Sequence, residues 1–255
     1  MGSSQSDPTD EFDVSNFDKA YKIRPGKVIT RIGKAAYGDD YPEEAEPFSF
    51  VTKTDLARMA HLLAVGSGSI FVDLGSGRGG PGLWLARATG ADLVGIDLST
   101  NAIAQATQRI PEFSLVGHVR YLQGNLCATG LPDQSCDAAV SIDVLIFIQD
   151  QTAVMKEVAR ILRPGAPFVF TAFEDRDTER YRLPLQENGF NVEVYEEKPD
   201  WRRRQLALYG RTVVEKDALI EEMGDGGRVL IAEAEYLLAD GLENTRHVFV
   251  AGRRM

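Results

Sequence analysis

At 255 residues, the chain has room for one α/β domain with an elaboration. Its formal net charge is -10 and it carries no long basic block. That excludes nucleic acid as the main partner, because neutralising phosphates needs a concentrated Lys/Arg face. No apolar run reaches the length of a membrane span, and the first residues lack an apolar signal-peptide core. Cys127 and Cys136 are the two cysteines, so free thiols in a cytoplasmic protein are the expectation.

Residues 1–13 are polar and acidic and read as a disordered tail. Residues 14–66 read as an N-terminal helical arm or lid. Tyr21, Tyr37, Tyr41, Phe48 and Phe50 make it too aromatic for a linker and too irregular for a core helix. Near its end, Thr52 or Thr54 caps a helix whose apolar face runs through Leu56, Met59, Ala60, Leu62 and Leu63. From 67 to 255 a regular alternation follows. Strands are expected at 69–74, 92–96, 119–122, 136–141, 167–171 and 190–195. Helices are expected from Pro81, from Ser99 as N-cap, over 151–162 and near 181–187. This order predicts a doubly wound, mostly parallel sheet. The segment at about 199–243 breaks the order and reads as a helical insert, and Thr245 to Gly252 reads as a last strand. The one basic cluster, Trp201-Arg202-Arg203-Arg204, is flanked by acids and reads as a solvated helix face.

After the first strand stands Asp73-Leu74-Gly75-Ser76-Gly77-Arg78-Gly79-Gly80-Pro81-Gly82. Glycines here let a ligand approach the backbone closely at the carboxyl edge of the sheet. Gly75-x-Gly77-x-x-Gly80, with Asp97 ending the second strand, fits the dinucleotide fingerprint, but that fingerprint alone serves two ligand classes. Asp73 argues against a pyrophosphate, since a buried carboxylate repels phosphate and suits a positively charged ligand.

Taken in order, Asp73-x-Gly75-x-Gly77-x-Gly79, Asp97, Gly124-Asn125, Leu131-Pro132, Asp137 and Leu162-Arg163-Pro164-Gly165 resemble the motifs of class I S-adenosylmethionine-dependent methyltransferases of the small-molecule, natural-product type. The resemblance covers about Phe71 to Phe173. It implies a Rossmann-like, seven-stranded sheet with the last strand antiparallel beside the sixth. It implies that Gly75 and Gly77 admit the methionine part of the cofactor, with Asp73 ordering the loop or holding the amino group. Asp97 would bind both ribose hydroxyls and Leu98 would flank the adenine. Asn125 would stand at the adenine amine, where the family more often has Asp. Ser76, Leu126 and Ser141 complete the implied cofactor set.

Methyl transfer from a sulfonium needs alignment and water exclusion more than a strong base, so sequence is a poor guide to the acceptor. The run Ser141 to Ile148 lies at the active edge; where some relatives carry a His, this chain has Phe147. Asp143 and His247 are the candidate catalytic residues. His61 and His118 read as structural, and Glu174 as a lesser edge carboxylate. No metal is expected: the Asp-Asn pair of metal-dependent catechol methyltransferases is absent, although Asp143, Glu174, Asp175 and Asp177 are oxygen donors. The implied activity is methylation of a small organic acceptor, aromatic or apolar, most often at oxygen, in secondary metabolism. A homodimer is the assembly to test, with no nucleic acid or membrane partner. Two rival readings stand beside it: an NAD(P)-dependent oxidoreductase and a non-methylating protein that binds the same cofactor.

Overall fold

The computed structural model describes residues 18, 21, 22, 24 and 26–255. The tail expected over 1–13 lies outside the described residues. Helix α1 spans Lys27–Tyr37 and α2 spans Lys53–Leu63. Alternating elements follow: β1 Ile70–Leu74, α3 Gly80–Thr89, β2 Asp92–Asp97, α4 Thr100–Arg109, β3 Val119–Gln123, β4 Ala138–Ile142, α5 Gln151–Ile161, β5 Pro167–Asp175, α6 Arg182–Glu187 and β6 Phe190–Glu197. The insert is helical, with α7 Trp201–Val214, α8 Lys216–Met223 and α9 Asp225–Tyr236, before β7 Thr245–Arg254. Local chemistry sets several of these ends. Thr52 and Asp55 form a reciprocal capping box on α2. The Ser99 hydroxyl accepts from Ala102 N–H at the start of α4.

The seven strands lie in the order β3-β2-β1-β4-β5-β7-β6. All pairings among β1 to β5 are parallel, and β7 runs antiparallel to both β5 and β6. The sheet is covered on both faces, so side chains alternate between two apolar layers. On β1, Val72 and Leu74 join the layer containing Val154, Val158 and Ile161 of α5, while Phe71 joins Leu56 and Met59 of α2 and Leu83 of α3. Asp73 shares the parity of Phe71. A fully buried side chain of this kind contributes roughly 1.5–3 kcal/mol. Two features of topology place the site. The strand order reverses between β1 and β4, which opens a crevice at their carboxyl ends. The antiparallel β7 begins where β5 ends, so His247 pairs with Phe173 at that same edge.

Structure and expectation differ at several strand ends and in the arm; β5 runs on to Asp175, past its expected end at 171. The fourth strand starts at Ala138, not Cys136, and Cys136 makes an isolated bridge to Leu162. The arm, read as too irregular for a core helix, contains α1. Val28, Ile32 and Ala36 recur at four-residue spacing on one face, and Val28 and Ile32 pack on Leu219, Met223 and Ile231 of the insert. The Glu222 carboxylate accepts from the Gly26 and Val28 N–H groups and so caps α1 from α8.

The rest of the arm is seated on α3. Buried Arg109 donates to the carbonyls of Ala45, at 3.1 Å, and Glu44, at 2.9 Å. The Ala45 carbonyl in turn lies against Gly80: a Cβ there would come within 1.6 Å of it. Gly80→Ala is therefore expected to destabilise the fold by about 2 kcal/mol through overpacking, read as a lower urea midpoint. An unchanged midpoint would mean that the arm is not held against α3.

Candidate active site

The glycine loop is shaped by its backbone. Gly75, Gly77 and Gly79 have φ of 77°, 50° and 76°, a region that side-chain-bearing residues rarely occupy. The Gly75 and Ser76 N–H groups both donate to the Ile96 carbonyl, at 2.8 and 3.0 Å. The next donor, Gly77 N–H, reaches the Asp97 carboxylate at 2.8 Å, whose other oxygen accepts from Ser99 N–H at 2.9 Å. A Cβ on Gly75 would meet Val144, so the loops after β1 and β4 touch across the crevice.

Two carboxylates face this loop. Asp73 is 3% exposed, and its Oδ2 would lie 2.4 Å from a Cβ on Gly82 at the first turn of α3. Burial, with the Asp97 charge adding to it, pushes Asp73 up to about 7. Asp97 is raised by burial too, against the opposing N–H groups of Ser99, Gly77 and Leu98. Such a pair repels a pyrophosphate and favours a cation, while the bare glycine backbone leaves room for a ligand to lie close. This donor set fits a nucleoside joined to an amino acid that carries positive charge, and it disfavours the dinucleotide reading.

Around the loop, Leu98 is 47% exposed at the end of β2 and presents an apolar face. Asn125 Oδ1 accepts from Cys127 N–H at 2.9 Å, so its oxygen is shared with its own turn. Leu126 is buried. The Ser76 hydroxyl is buried with no partner among the described residues. Ser141 is fully buried and donates to the Leu74 carbonyl at 2.9 Å, which ties β4 to β1. One neighbour escaped the sequence reading. A Cβ on Gly77 would stand 2.8 Å from the Tyr21 hydroxyl, and the Arg78 guanidinium lies over the rings of Tyr21 and Phe48. Their glycine-arginine-aromatic composition was the available signal, but nothing in it gave the long-range pairing.

Asp143 and His247, 104 residues apart in the chain, meet at 2.7 Å between Oδ1 and Nε2. Asp143 has φ of 58°, a strained backbone for a residue with a Cβ. It is held there on several sides. Its N–H donates to the Thr171 carbonyl at 2.9 Å, its Oδ1 accepts from the Thr171 hydroxyl at 2.7 Å, and its Oδ2 accepts from Phe50 N–H at 2.7 Å. Burial alone would raise Asp143, but the His247 imidazole, the Lys198 ammonium and the Phe50 N–H outweigh it and hold the carboxyl well below its usual range. Burial, then the Lys198 charge, lowers His247 against the opposing pull of Asp143. The pair is thus an ionised carboxylate and a neutral imidazole. A carboxylate demands a donor, which assigns the proton to Nε2 and leaves Nδ1 basic.

Aromatic rings enclose this imidazole. It stacks on Phe173 at 4.1 Å between centroids, with Phe50 and Trp201 edge-on at 6.4 Å each. Lys198 completes the group: its ammonium bonds the Phe50 carbonyl at 3.0 Å and the Asp55 carboxylate at 2.8 Å. Phe50 comes from the arm, and Lys198 and Trp201 from the end of β6 and the insert.

The other candidates are engaged elsewhere. Glu174 accepts from Arg246 Nε at 2.7 Å, the Tyr195 hydroxyl at 2.5 Å and Arg180 N–H at 2.8 Å. His61 is exposed on α2, and His118 precedes β3 at the opposite edge. Among the described residues no three His, Cys, Asp or Glu side chains are grouped as metal ligands, and no helix is long and apolar enough to cross a membrane. Cys127 and Cys136 are free thiols. The basic run is ion-paired: Arg202 with Glu243, Arg203 with Asp200, and Arg204 with Asp40, which joins the insert to the arm.

Residues 72–170 match the methyltransferase domain family. A botryococcene C-methyltransferase of Botryococcus braunii is 35% identical over 125 residues, 49% of this chain and 32% of that protein. A sterol 24-C-methyltransferase of Aspergillus fumigatus is 26% identical over 196 residues, 77% of this chain and 45% of that protein. The chain thus spans less than half the length of these curated relatives. Among solved structures, geranyl diphosphate C-methyltransferase from Streptomyces coelicolor A3(2), with S-adenosyl-L-homocysteine bound, aligns with a TM-score of 0.65 at 15% identity, covering 99% of this chain and 100% of that one. The fold of the [4+2]-cyclase SpnF aligns with a TM-score of 0.70 at 18% identity, covering 78% of this chain and 80% of that one. With its strand order, its antiparallel β7, its glycine loop between two acids and the match over residues 72–170, the chain carries a methyltransferase domain on a class I S-adenosylmethionine-dependent methyltransferase fold.

Proposed function

We propose that the protein transfers the methyl group of S-adenosylmethionine to a small, apolar or aromatic organic acceptor that gives up a proton to His247. The observation that carries the first half is the glycine loop pinned to Asp97 at the end of the neighbouring strand β2, with the loop's own cation, Arg78, laid over the Tyr21 and Phe48 rings. Asp97 receives the ribose hydroxyls on the lone pairs left by Gly77 and Ser99. Leu98 covers one adenine face, beside Asn125 and Leu126. Asp73 holds the amino group of the methionine part. When bound, the cofactor supplies a methyl already activated on a sulfonium sulfur.

The chain's own work is positioning and proton transfer. His247 takes the acceptor's proton on Nδ1, and Asp143 keeps Nε2 protonated and steadies the imidazolium that forms. The ring box of Phe50, Phe173 and Trp201 excludes water. An O–H acceptor and an alkene carbon both deliver a proton to such a base. The curated relatives named above are C-methyltransferases. Oxygen, expected from sequence, is kept as the acceptor to test first, with the position of the label in the product as the arbiter. The likeness to a cyclase fold supports the rival reading without methyl transfer; turnover of labelled cofactor separates the two.

Three outcomes are expected. Calorimetric titration should give micromolar binding of S-adenosylhomocysteine and none of NADH, and Asp97→Ala should weaken the former by more than about tenfold, the cost of two lost charge-assisted hydrogen bonds. Binding of NADH alone would remove the methyltransferase reading.

The second concerns pH. In the free protein Asp73 keeps its proton to about 7, above its value in the unfolded chain. It therefore makes the fold less stable as pH rises from about 4 to about 7. A bound ammonium group favours the ionised form. Affinity for S-adenosylhomocysteine should then rise about tenfold from pH 6 to pH 8 and level off. Asp73→Asn should flatten that slope; an unchanged slope would show that another group is responsible.

The third is read without any acceptor. Burial and the Lys198 charge lower His247 from the usual imidazole range, so its midpoint in nitrogen-resolved NMR should fall below 6.5. A midpoint at or above 6.5 would show that the Asp143 charge outweighs burial and Lys198 at this ring.

A further inference from the structure

Beside His247 lies a small cavity of about 10 Å³, lined by Tyr37, Phe50, Trp201, Lys198, Arg204 and Gln205 among others. That is room for about one water molecule. Its walls are part aromatic, from Tyr37, Phe50 and Trp201, and part polar, and its cations are already neutralised. Lys198 is paired with Asp55, and Arg204 with Asp40 at 2.7 Å. An anionic acceptor would find no unpaired charge in these two.

Gln205 is the exception in this lining. It is 2% exposed. Its Nε2 donates to the Tyr209 hydroxyl at 2.9 Å, and that hydroxyl donates to Glu233 Oε1 at 3.0 Å. With the Tyr209 hydroxyl donating to Glu233, the Gln205 Nε2 faces that hydroxyl and its carbonyl oxygen turns away from it. The Gln205 Oε1 is left buried with no partner among the described residues. Buried carbonyl oxygens are rarely left so, and each one asks for a donor.

We infer that Gln205 is a specificity-determining residue whose carbonyl oxygen reads a hydrogen-bond donor on the acceptor. The pocket then takes a flat, uncharged molecule that carries one O–H or N–H group on an apolar body. This rests on the acceptor half of the proposed function. Trp201, Gln205 and Tyr209 recur at four-residue spacing and share one face of α7. A molecule larger than water enters when that face moves outward. Trp201 and Phe50 then supply the apolar walls, and Gln205 the single polar contact. An analogue without the donor leaves the oxygen unpaired and is rejected, whereas an extra methylene is discriminated weakly.

The test uses phenol and toluene, which match in size and differ in one O–H. Binding to the full chain in the presence of S-adenosylhomocysteine is followed by Trp201 fluorescence in a Trp84→Phe background. A purely apolar pocket prefers toluene. Phenol is expected to bind at least as tightly, and Gln205→Met should shift the phenol-to-toluene affinity ratio toward toluene by about tenfold, the worth of a hydrogen bond to a buried acceptor. Gln205→Glu retains acceptor oxygens and should keep the preference for phenol. A ratio that Gln205→Met leaves unchanged, or a failure of phenol to bind, overturns the inference. Titration of S-adenosylhomocysteine on the same samples separates the two readings. If the native chain does not bind it, the methyltransferase proposal falls, and the ratio measured on the cofactor-free chain still decides Gln205.

Discussion

One buried carboxylate organises the active edge. Asp143 accepts from Phe50 N–H, the Thr171 hydroxyl and His247 Nε2, so the arm, β5, β7 and the loop after β4 converge on a single charge. The same Phe50 peptide turns its carbonyl to Lys198, which extends the connection to Asp55 on α2 and to the foot of the insert. A charge taken out of water must be met by partners on most of its lone pairs. Asp143 meets that requirement by drawing three elements distant in sequence, the arm, β5 and β7, onto its own loop. The left-handed backbone at Asp143 is tolerated because these bonds over-determine it.

The two halves of the edge are distinguished by what surrounds the same side chain. Asp73 and Asp143 are both buried at the ends of neighbouring parallel strands. Asp143 is ringed by donors and a neighbouring cation, and remains ionised. Asp73 faces another carboxylate, and burial wins. Among the described residues no cation offsets the burial of Asp73 as Lys198 does for Asp143. One aspartate thus finds its compensating partners within the chain, while the other is held in its neutral form by burial. This asymmetry separates a cofactor half from an acceptor half with no difference in residue type.

Much of this was legible in the sequence because it is local. The apolar run of β5, the Ser99 cap and the glycine loop each carry their own cause within a few residues. Asp143 and His247 were identifiable as edge residues from strand order, although their contact depends on β7 being antiparallel and on its register with β5. Lys198, Tyr21 and Gln205 were not legible as site residues. Their roles come from packing between segments that no periodicity links, such as the Tyr21 hydroxyl lying against Gly77. A signal for Gln205 was present in the spacing of Trp201, Gln205 and Tyr209, but it stood beside Arg202, Arg203 and Arg204. The charge run masked it, although Arg204 of that run lines the same cavity as Gln205.

The arm and the insert form a cover of their own. Val28 and Ile32 of α1 share an apolar cluster with Leu219, Met223 and Ile231, separate from the two layers on the sheet. Glu222 of α8 caps α1, and Arg204 of α7 pairs with Asp40 just beyond it. Upstream, Tyr21 lies against the glycine loop; downstream, Phe50 closes on Asp143. The covering of the cofactor half is therefore mechanically joined to the covering of the acceptor half. A body with its own small core moves as a unit more readily than it deforms. Opening at α7 to admit an acceptor would accordingly pull on the segment that leads to Tyr21. Closing over both ligands would expel water from the line of transfer in one step, which is the condition a reactive sulfonium most requires.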